Sequence, residues 1–237
     1  MAYQTSKARR NLQGALRSVS LRTRLAEKKT VQSDLREYAI AASIFLAHAE
    51  IENYVADILS AFSLAVVSLS PKGSKLPPHL QAHLFIEKSN ARVHFGNFLA
   101  ASSERDLLRH LSQSMRGPAG TYLNDAVAAQ SFTGADVFTK IKYPSEDNLK
   151  KLFFRLGIDN LFGKLSGILK QDSSALLQSV SSLRTQLAHT GTLPGISCKD
   201  VRDKLKDTDK FVGALDRVMY EVTSSNFGAT LWRTHLC

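Results

Sequence analysis

The sequence has few cysteines: Cys198 and Cys237 are the only two among 237 residues. So few thiols exclude the disulfide framework of a small secreted domain and leave no cysteine cluster to hold a metal. We expect two reduced thiols in a cytoplasmic protein, although one disulfide between them fits the count. No neighbouring residues support Cys198 as a catalytic nucleophile.

Long apolar runs are missing as well. The most apolar stretch, residues 58–67, is much shorter than the roughly 20 residues that cross a bilayer as a helix. Apolar residues make up 43% of the chain and charged residues 22%, which is an ordinary globular balance with enough apolar material for a core. We therefore predict a soluble protein that does not interact with a membrane.

Acidic residues are almost absent from the first 29 positions, which carry eight bases against Glu27 alone, a net charge of +7. No apolar core follows these bases, so the segment is not a secretory signal. Arg10, Arg17 and Arg24 recur every seven residues, which favours an amphipathic helix with a solvated basic edge. The other face of that helix carries Leu12, Leu16, Val19 and Ala26. Such a helix packs on the body or contacts nucleic acid; an organellar transit peptide is the third alternative.

Helical patterns dominate the rest of the chain. Apolar residues step by three and four from Val31 to about Ser68, in "HLQAHLFIEKSNARVHFGNFLA" and in "SCKDVRDKLKDTDKFVGALDRVMYEVTSS", which predicts an all-α helical bundle. The least regular segment, "FTGADVFTKIKYP", predicts a small irregular or β-hairpin insertion around 131–144. We divide the chain into a basic N-terminal helix or extension (1–30), a helical domain (31–226) and a C-terminal tail (227–237).

The stretch "SSLRTQLAHTG" places Arg184 five positions before His189, at the end of a helix that Asp172 caps. On a straight helix these two side chains point about 140° apart. Gly191 and Pro194 follow directly, so we expect the last turn to unwind and bring His189 back toward Arg184. The same spacing in "RDLLRH", Arg105 to His110, lies inside a helix that nothing bends, and we interpret His110 as a solvated surface residue.

Arginine and histidine together suit RNA cleavage by the 2′-hydroxyl. That reaction needs a base, an acid at the leaving oxygen and positive charge on the phosphorane. Histidine titrates near neutrality, and arginine offers a planar fork to phosphate oxygens. One histidine cannot easily act as both acid and base in a single step, so we expect two copies of the chain to share the site.

The motif also carries a resemblance to a known family. "LRTQLAHTG" resembles the R-x4–6-H signature of the HEPN superfamily, and "AASIFLAHAEIENYVADIL" resembles the early helix of its RiboL-PSP and MAE-type branches. "YPSEDNLKKLFFRLGI" resembles the middle segment of these branches, and "SCKDVRDKLKDTDKFVGALDRVM" resembles the helix that follows the motif. The resemblance covers roughly residues 31–222 and is weakest over the first 30.

This resemblance implies a helical HEPN-like protein that dimerises through the face carrying the motif and cuts RNA without a metal or other cofactor. Arg184 and His189 are then the catalytic candidates, and Glu52, or else Glu50, orients the arginine. Thr185 stands where active members often carry Asn, Asp or His. We therefore expect a metal-independent endoribonuclease that acts on RNA as a homodimer, as a toxin or defence effector with a neutralising antitoxin.

Two other functions stay open. One is a catalytically inactive HEPN-like dimer that binds nucleic acid or a partner protein, and the other is a helical adaptor whose basic N-terminus contacts RNA or an anionic surface. Among the remaining histidines, His48 is either a satisfied core or interface residue or a supporting site residue. His79 and His83 have zinc-ligand spacing, but no cysteine or intervening glutamate completes a site, so we expect no metal.

Overall fold

The computed structural model describes residues 2–100, 103–141 and 144–237. These residues form helices and loops, with no strand among them. The helices are α1 (Lys7–Ala26), α2 (Ser33–Ser68), α3 (Pro78–Lys88), α4 (Ala91–Ala100), α5 (Glu104–Arg116), α6 (Gly134–Phe138), α7 (Glu146–Arg155), α8 (Leu161–Leu169), α9 (Ser173–Thr190), α10 (Cys198–Phe227) and α11 (Ala229–Leu231). Short 3₁₀ turns span Gly73–Lys75 and Pro118–Tyr122, and a π turn spans Trp232–Leu236. The fold is all-α, as the sequence predicted.

Side-chain caps determine where the main helices begin. Asp172 accepts hydrogen bonds from the amides of Ser174 and Ala175 at 2.8 and 3.1 Å, as the sequence predicted for the start of α9. Ser197 and Asp200 form a capping box at the start of α10. Such caps satisfy amides that have no partner within the helix, and each contributes about 1 kcal/mol.

Helix α2 is the centre of the bundle, because α1, α6, α9 and α10 all pack against it. By length and composition this helix could cross a membrane, but half of its most apolar stretch is buried inside the fold. Ile44, Ile51 and Phe62 lie on buried positions along it. The packing of its apolar side chains against four other helices is the arrangement of a core helix.

Helix α1 packs on α2 and α10. Its apolar face is buried and its arginine-rich edge is exposed, in the arrangement that the seven-residue spacing indicated. Two contacts fix its C-terminal end. Thr23 Oγ1 lies 2.8 Å from Ser43 Oγ on α2, and Glu27 forms a 2.7 Å ion pair with Arg202 on α10. How the chain divides into domains stays a prediction.

Two local segments differ in part from what the sequence indicated. The described part of the 131–144 segment contains α6, so the hairpin alternative was wrong, because Thr133 and Asp136 form a capping box that starts a helix; Lys142 and Tyr143 lie outside the described residues. Gly134 lets this helix approach α2, since a Cβ there would meet the Ser60 backbone nitrogen at 2.7 Å. The helical segment expected over 79–100 is divided into α3 and α4 at Asn90, whose φ of 54° is left-handed.

A buried carboxylate joins the N-terminal segment to α10. Asp216 is fully buried and accepts hydrogen bonds from the Ser6 hydroxyl at 2.5 Å, the Ser6 amide at 3.1 Å and the Tyr3 hydroxyl at 2.6 Å. The Tyr54 hydroxyl of α2 donates a fourth bond at 3.1 Å. Burial and this carboxylate raise the pKa of Tyr54, which keeps its hydroxyl protonated. The network therefore fixes the position from which α1 starts.

The C-terminal residues close over the same region. Trp232 is fully buried and its indole Nε1 donates to the Gln4 carbonyl at 2.8 Å. Arg10 donates to the carbonyl of Cys237. Residues 3–10 and 231–237 therefore complete the core together.

Candidate active site

Arg184 lies on the side of α9 that faces the bundle. Leu177, Val180 and Leu187 are the buried residues of this stripe, and Arg184 continues its spacing of three and four. The arginine is accordingly half-buried. Within the described residues it forms no ion pair or hydrogen bond. Its guanidinium is therefore held near the protein surface with its donors available to an anion.

His189 is exposed and lies in a regular last turn, so the prediction that this turn unwinds was wrong. The helix continues to Thr190, and the Gly191 amide donates to the Leu187 carbonyl at 2.9 Å. Gly191 has a φ of 72°, which is the left-handed conformation that glycine adopts at helix ends. Because the helix stays regular, Arg184 and His189 point about 140° apart in one chain.

Helix α2 packs against α9 and carries a histidine whose pKa responds to Arg184. His48 is buried, and its Nδ1 lies 3.3 Å from Glu52 Oε1, one turn further along the helix. Burial lowers the pKa of His48; the Glu52 carboxylate opposes that shift and the positive charge of Arg184 adds to it. The packing of α2 on α9 thus brings Arg184 within electrostatic reach of the His48–Glu52 pair, and we call these three residues the Arg184 cluster.

Glu52 contacts His48, whereas the family resemblance implied that Glu52, or else Glu50, orients Arg184. The two carboxylates considered for that role, Glu52 and Glu50, are both half-buried, and no ion pair within the described residues joins either of them to Arg184. Glu52 instead positions His48, whose charge state is sensitive to Arg184. The spacing of His48 and Glu52 by four residues on one helix was the signal in the sequence for this pair.

Thr185 is exposed, and its hydroxyl donates to the Ser181 carbonyl at 3.0 Å. That hydrogen bond within the helix uses the only hydrogen of the hydroxyl. Thr185 can therefore accept a hydrogen bond from a ligand, but it donates one only after giving up its bond to Ser181.

The loop after His189 folds back onto the start of α2. Residues 191–196 and the first turns of α2 line a cavity of about 480 Å³, with Glu37, Tyr38, Ile40 and Ala41 on the α2 side. This contact joins segments far apart in the sequence. It places the end of α9, the loop and the beginning of α2 together at one end of the bundle.

The other candidate residues have structural contacts. His79 stacks on Phe154, with ring centroids 4.3 Å apart, and His83 Nε2 lies 2.9 Å from the Asp136 carbonyl oxygen. No group of three metal-ligating side chains occurs in the described parts of the chain. His110 is half-buried and bonds the Ser89 carbonyl at 2.6 Å, so its interpretation as a solvated residue was wrong.

Both cysteines are free thiols. Burial raises the pKa of the Cys198 thiol. Activated cysteine nucleophiles require the opposite shift, because the thiolate is the reactive form.

A comparison with protein families identifies the family of the chain. The family model described as RiboL-PSP-HEPN matches residues 16–221. The chain belongs to the RiboL-PSP-HEPN family. The matched range includes Arg184, His189 and the His48–Glu52 pair, and it begins inside α1. No curated protein and no solved structure matches the chain. HEPN domains are often ribonucleases, so membership connects this RiboL-PSP-HEPN protein with RNA-related functions.

Proposed function

We propose that this RiboL-PSP-HEPN protein is a metal-independent endoribonuclease whose site is shared between two copies of the chain. The observation that carries the proposal is the unpaired, half-buried Arg184 on α9 of a HEPN fold, with an exposed histidine at the end of the same helix. The guanidinium would bind phosphate oxygens and stabilise the charge that develops in the transition state.

The divergence of Arg184 and His189 supports a shared site. Since the two side chains point about 140° apart on one helix, a second chain is needed to bring a histidine beside each arginine. A two-fold dimer would then supply two histidines, one as the base at the 2′-hydroxyl and one as the acid at the leaving 5′-oxygen. The products would carry 2′,3′-cyclic phosphate ends.

An exposed stripe on α2 is suited to contact the second copy. Leu35, Tyr38 and Phe45 are exposed by 59%, 73% and 42%. Together with Ala42 and Ala49 they follow helical spacing of three and four, and the stripe leads to Glu52. An apolar stripe adjoining the Arg184 cluster fits an isologous interface, in which the same patch of each chain packs against its copy.

Cleavage of RNA by the purified protein in EDTA tests the proposal. We expect cyclic phosphate ends, and we expect Arg184→Ala and His189→Ala each to lower the rate by at least about 100-fold, since acid–base catalysis contributes about 10²–10⁴-fold. Arg105→Ala and His110→Ala, which have the same spacing on α5, are the matched controls and should leave the rate unchanged. Activity that required Mg²⁺, or that survived His189→Ala, would contradict the proposal.

The dimer is measured alongside by sedimentation. Phe45→Glu should yield monomers and abolish cleavage, because it places a charge within the proposed interface. Leu64→Glu, on an exposed position of the same helix away from the stripe, should remain dimeric and active. A wild-type protein that cleaves RNA as a monomer would refute the shared site.

A catalytically inactive dimer that binds RNA or a partner protein is the second candidate function. The Thr185 hydroxyl donates within its own helix, so it is less available to donate to a ligand, which favours this alternative. RNA that is bound in EDTA but stays uncut at every protein concentration would support it.

A further inference from the structure

The outward face of α1 has an unbalanced positive charge. Helix α1 contains no acidic residue, and its exposed edge carries Arg10, Arg17 and Arg24, followed by Lys28 just beyond its end. With a rise of about 1.5 Å per residue, the three arginines are spaced about 10 Å apart along the helix, and Lys28 follows four residues after Arg24. We call these four residues the basic row.

Three members of the basic row, Arg17, Arg24 and Lys28, form no ion pair among the described residues. The ion pairs at this surface join Arg9 to Asp209 and Arg202 to Glu27. Arg10 differs from the other three, because it donates to the Thr5 carbonyl and to the main-chain oxygen of Cys237.

The neighbouring helix α10 shows the ordinary alternative. Its lysines pair with aspartates three residues earlier, Lys206 with Asp203 at 2.8 Å and Lys210 with Asp207 at 3.2 Å. Such exposed pairs balance charge on a solvated surface and contribute little to stability. Because α1 lacks that balance, its exposed edge carries charge of one sign, which is complementary to a polyanion.

The basic row leads to the end of the bundle that carries His189. Arg36 of α2 donates to the carbonyls of Ala26 and Val31, which fixes the connection between α1 and α2. The ion pair between Glu27 and Arg202 joins the end of α1 to the first turns of α10, which follow the loop after His189. Lys28 therefore lies at the same end as that loop.

We propose that the basic row binds the phosphate backbone of a single-stranded RNA and directs the strand toward the Arg184–His189 end of the bundle. This inference deepens the proposed function and rests on it for the direction of the strand. An anionic membrane is the less suitable partner, because the apolar face with which an interfacial helix enters lipid is here buried against α2 and α10.

Binding is measured with the full-length His189→Ala protein and a labelled, unstructured RNA over a range of salt concentrations. The variant Arg17→Gln/Arg24→Gln/Lys28→Gln should reduce the slope of log affinity against log salt by about 2 and weaken binding about 30- to 100-fold at about 0.1 M salt, since each single-strand phosphate contact contributes about 0.7 to the slope. The matched control, Arg105→Gln/Arg109→Gln/Arg116→Gln on exposed positions of α5, loses the same charge and should retain both values.

The outcomes separate this inference from the nuclease proposal. A slope that falls equally in the two triple variants, or in neither, overturns the docking role of α1 even if the wild-type protein cuts RNA. A selective fall supports the docking role even if no cleavage occurs. Binding to phosphatidylcholine–phosphatidylserine vesicles in preference to RNA also overturns it. Should the triple variant be poorly folded by circular dichroism, Arg17→Gln alone should lower the slope by about 0.7.

A kinetic readout extends the test to the strand's direction. When His189 is intact, so that the protein can cleave RNA, the substitutions in the basic row should raise KM for long RNA. They should leave kcat unchanged, because these residues do not touch the reacting atoms. A fall in kcat with constant KM would refute a docking role.

Discussion

Removing the buried Asp216 carboxylate should destabilise the protein strongly. Asp216→Ala leaves the hydroxyl and amide of Ser6 and the hydroxyl of Tyr54 without their acceptor in a site closed to water. Tyr3 is only half-buried and can turn its hydroxyl to solvent. The three stranded buried donors cost about 1–3 kcal/mol each, or about 3–9 kcal/mol together. Removing the carboxylate also removes the cost of burying it, which offsets part of this destabilisation, so we expect a net loss of about 3–5 kcal/mol.

Asp216→Asn should cost less than the alanine substitution. One oxygen of Asp216 accepts from the Ser6 and Tyr54 hydroxyls, and the other accepts from the Ser6 amide and the Tyr3 hydroxyl. An asparagine keeps one acceptor but turns an amide group toward the remaining donors. We therefore expect about half of the loss, roughly 1.5–3 kcal/mol.

Urea unfolding and calorimetry measure these losses. A loss of 3–5 kcal/mol corresponds to a decrease in Tm of about 6–20 °C for a chain of this size. Hydrogen exchange of residues 2–10 should accelerate, because Ser6 no longer holds the start of α1. Asp203→Ala, which removes an exposed carboxylate paired with Lys206, is the control and should change stability by less than about 1 kcal/mol. A value for Asp216→Ala within that same range would refute the reasoning.

Two further predictions concern histidine titration and helix termination. Burial lowers the pKa of His48 and of His83 below the ordinary value of 6.5. The unfolded chain therefore binds more protons near and below that pH, and the free energy of unfolding should fall from pH 7 to pH 5. His48→Gln should reduce this dependence of the urea-derived unfolding free energy on pH, and an unchanged dependence would contradict the prediction. Gly191→Ala should destabilise the protein by about 1–2 kcal/mol, because Gly191 has a left-handed φ of 72°. Gly14→Ala, in the exposed middle of α1, should stabilise it by about 0.5–1 kcal/mol. Equal changes in Tm for the two variants would contradict a left-handed helix end at Gly191.

The all-α fold and the RiboL-PSP-HEPN family were predictable from the sequence, because long amphipathic patterns and local caps carry the information. Asp172 at the start of α9 illustrates this, since its partners lie two and three residues away. The hairpin alternative for the insertion around 131–144 was wrong because its β-branched and aromatic residues favour a strand locally, while a Thr133–Asp136 capping box and the contact of Gly134 with α2 favour a helix.

The candidate site was predictable in its residue types but not in its geometry. A Gly/Pro-rich exit suggested an unwound helix end, yet a single left-handed Gly191 ends α9 while keeping its last turn intact. The partnership of Glu52 with His48 depends on the rotation of α2 relative to α9. No local pattern specifies that rotation, since packing of the whole bundle determines it.

The contact between residues 3–10 and residues 231–237 has a consequence for synthesis. The Gln4 carbonyl accepts from the indole of Trp232, and Arg10 donates to the main-chain oxygen of Cys237. A ribosome adds about 5–20 residues per second. Because more than 200 residues separate the two segments, these hydrogen bonds form only after the intervening helices have been synthesised.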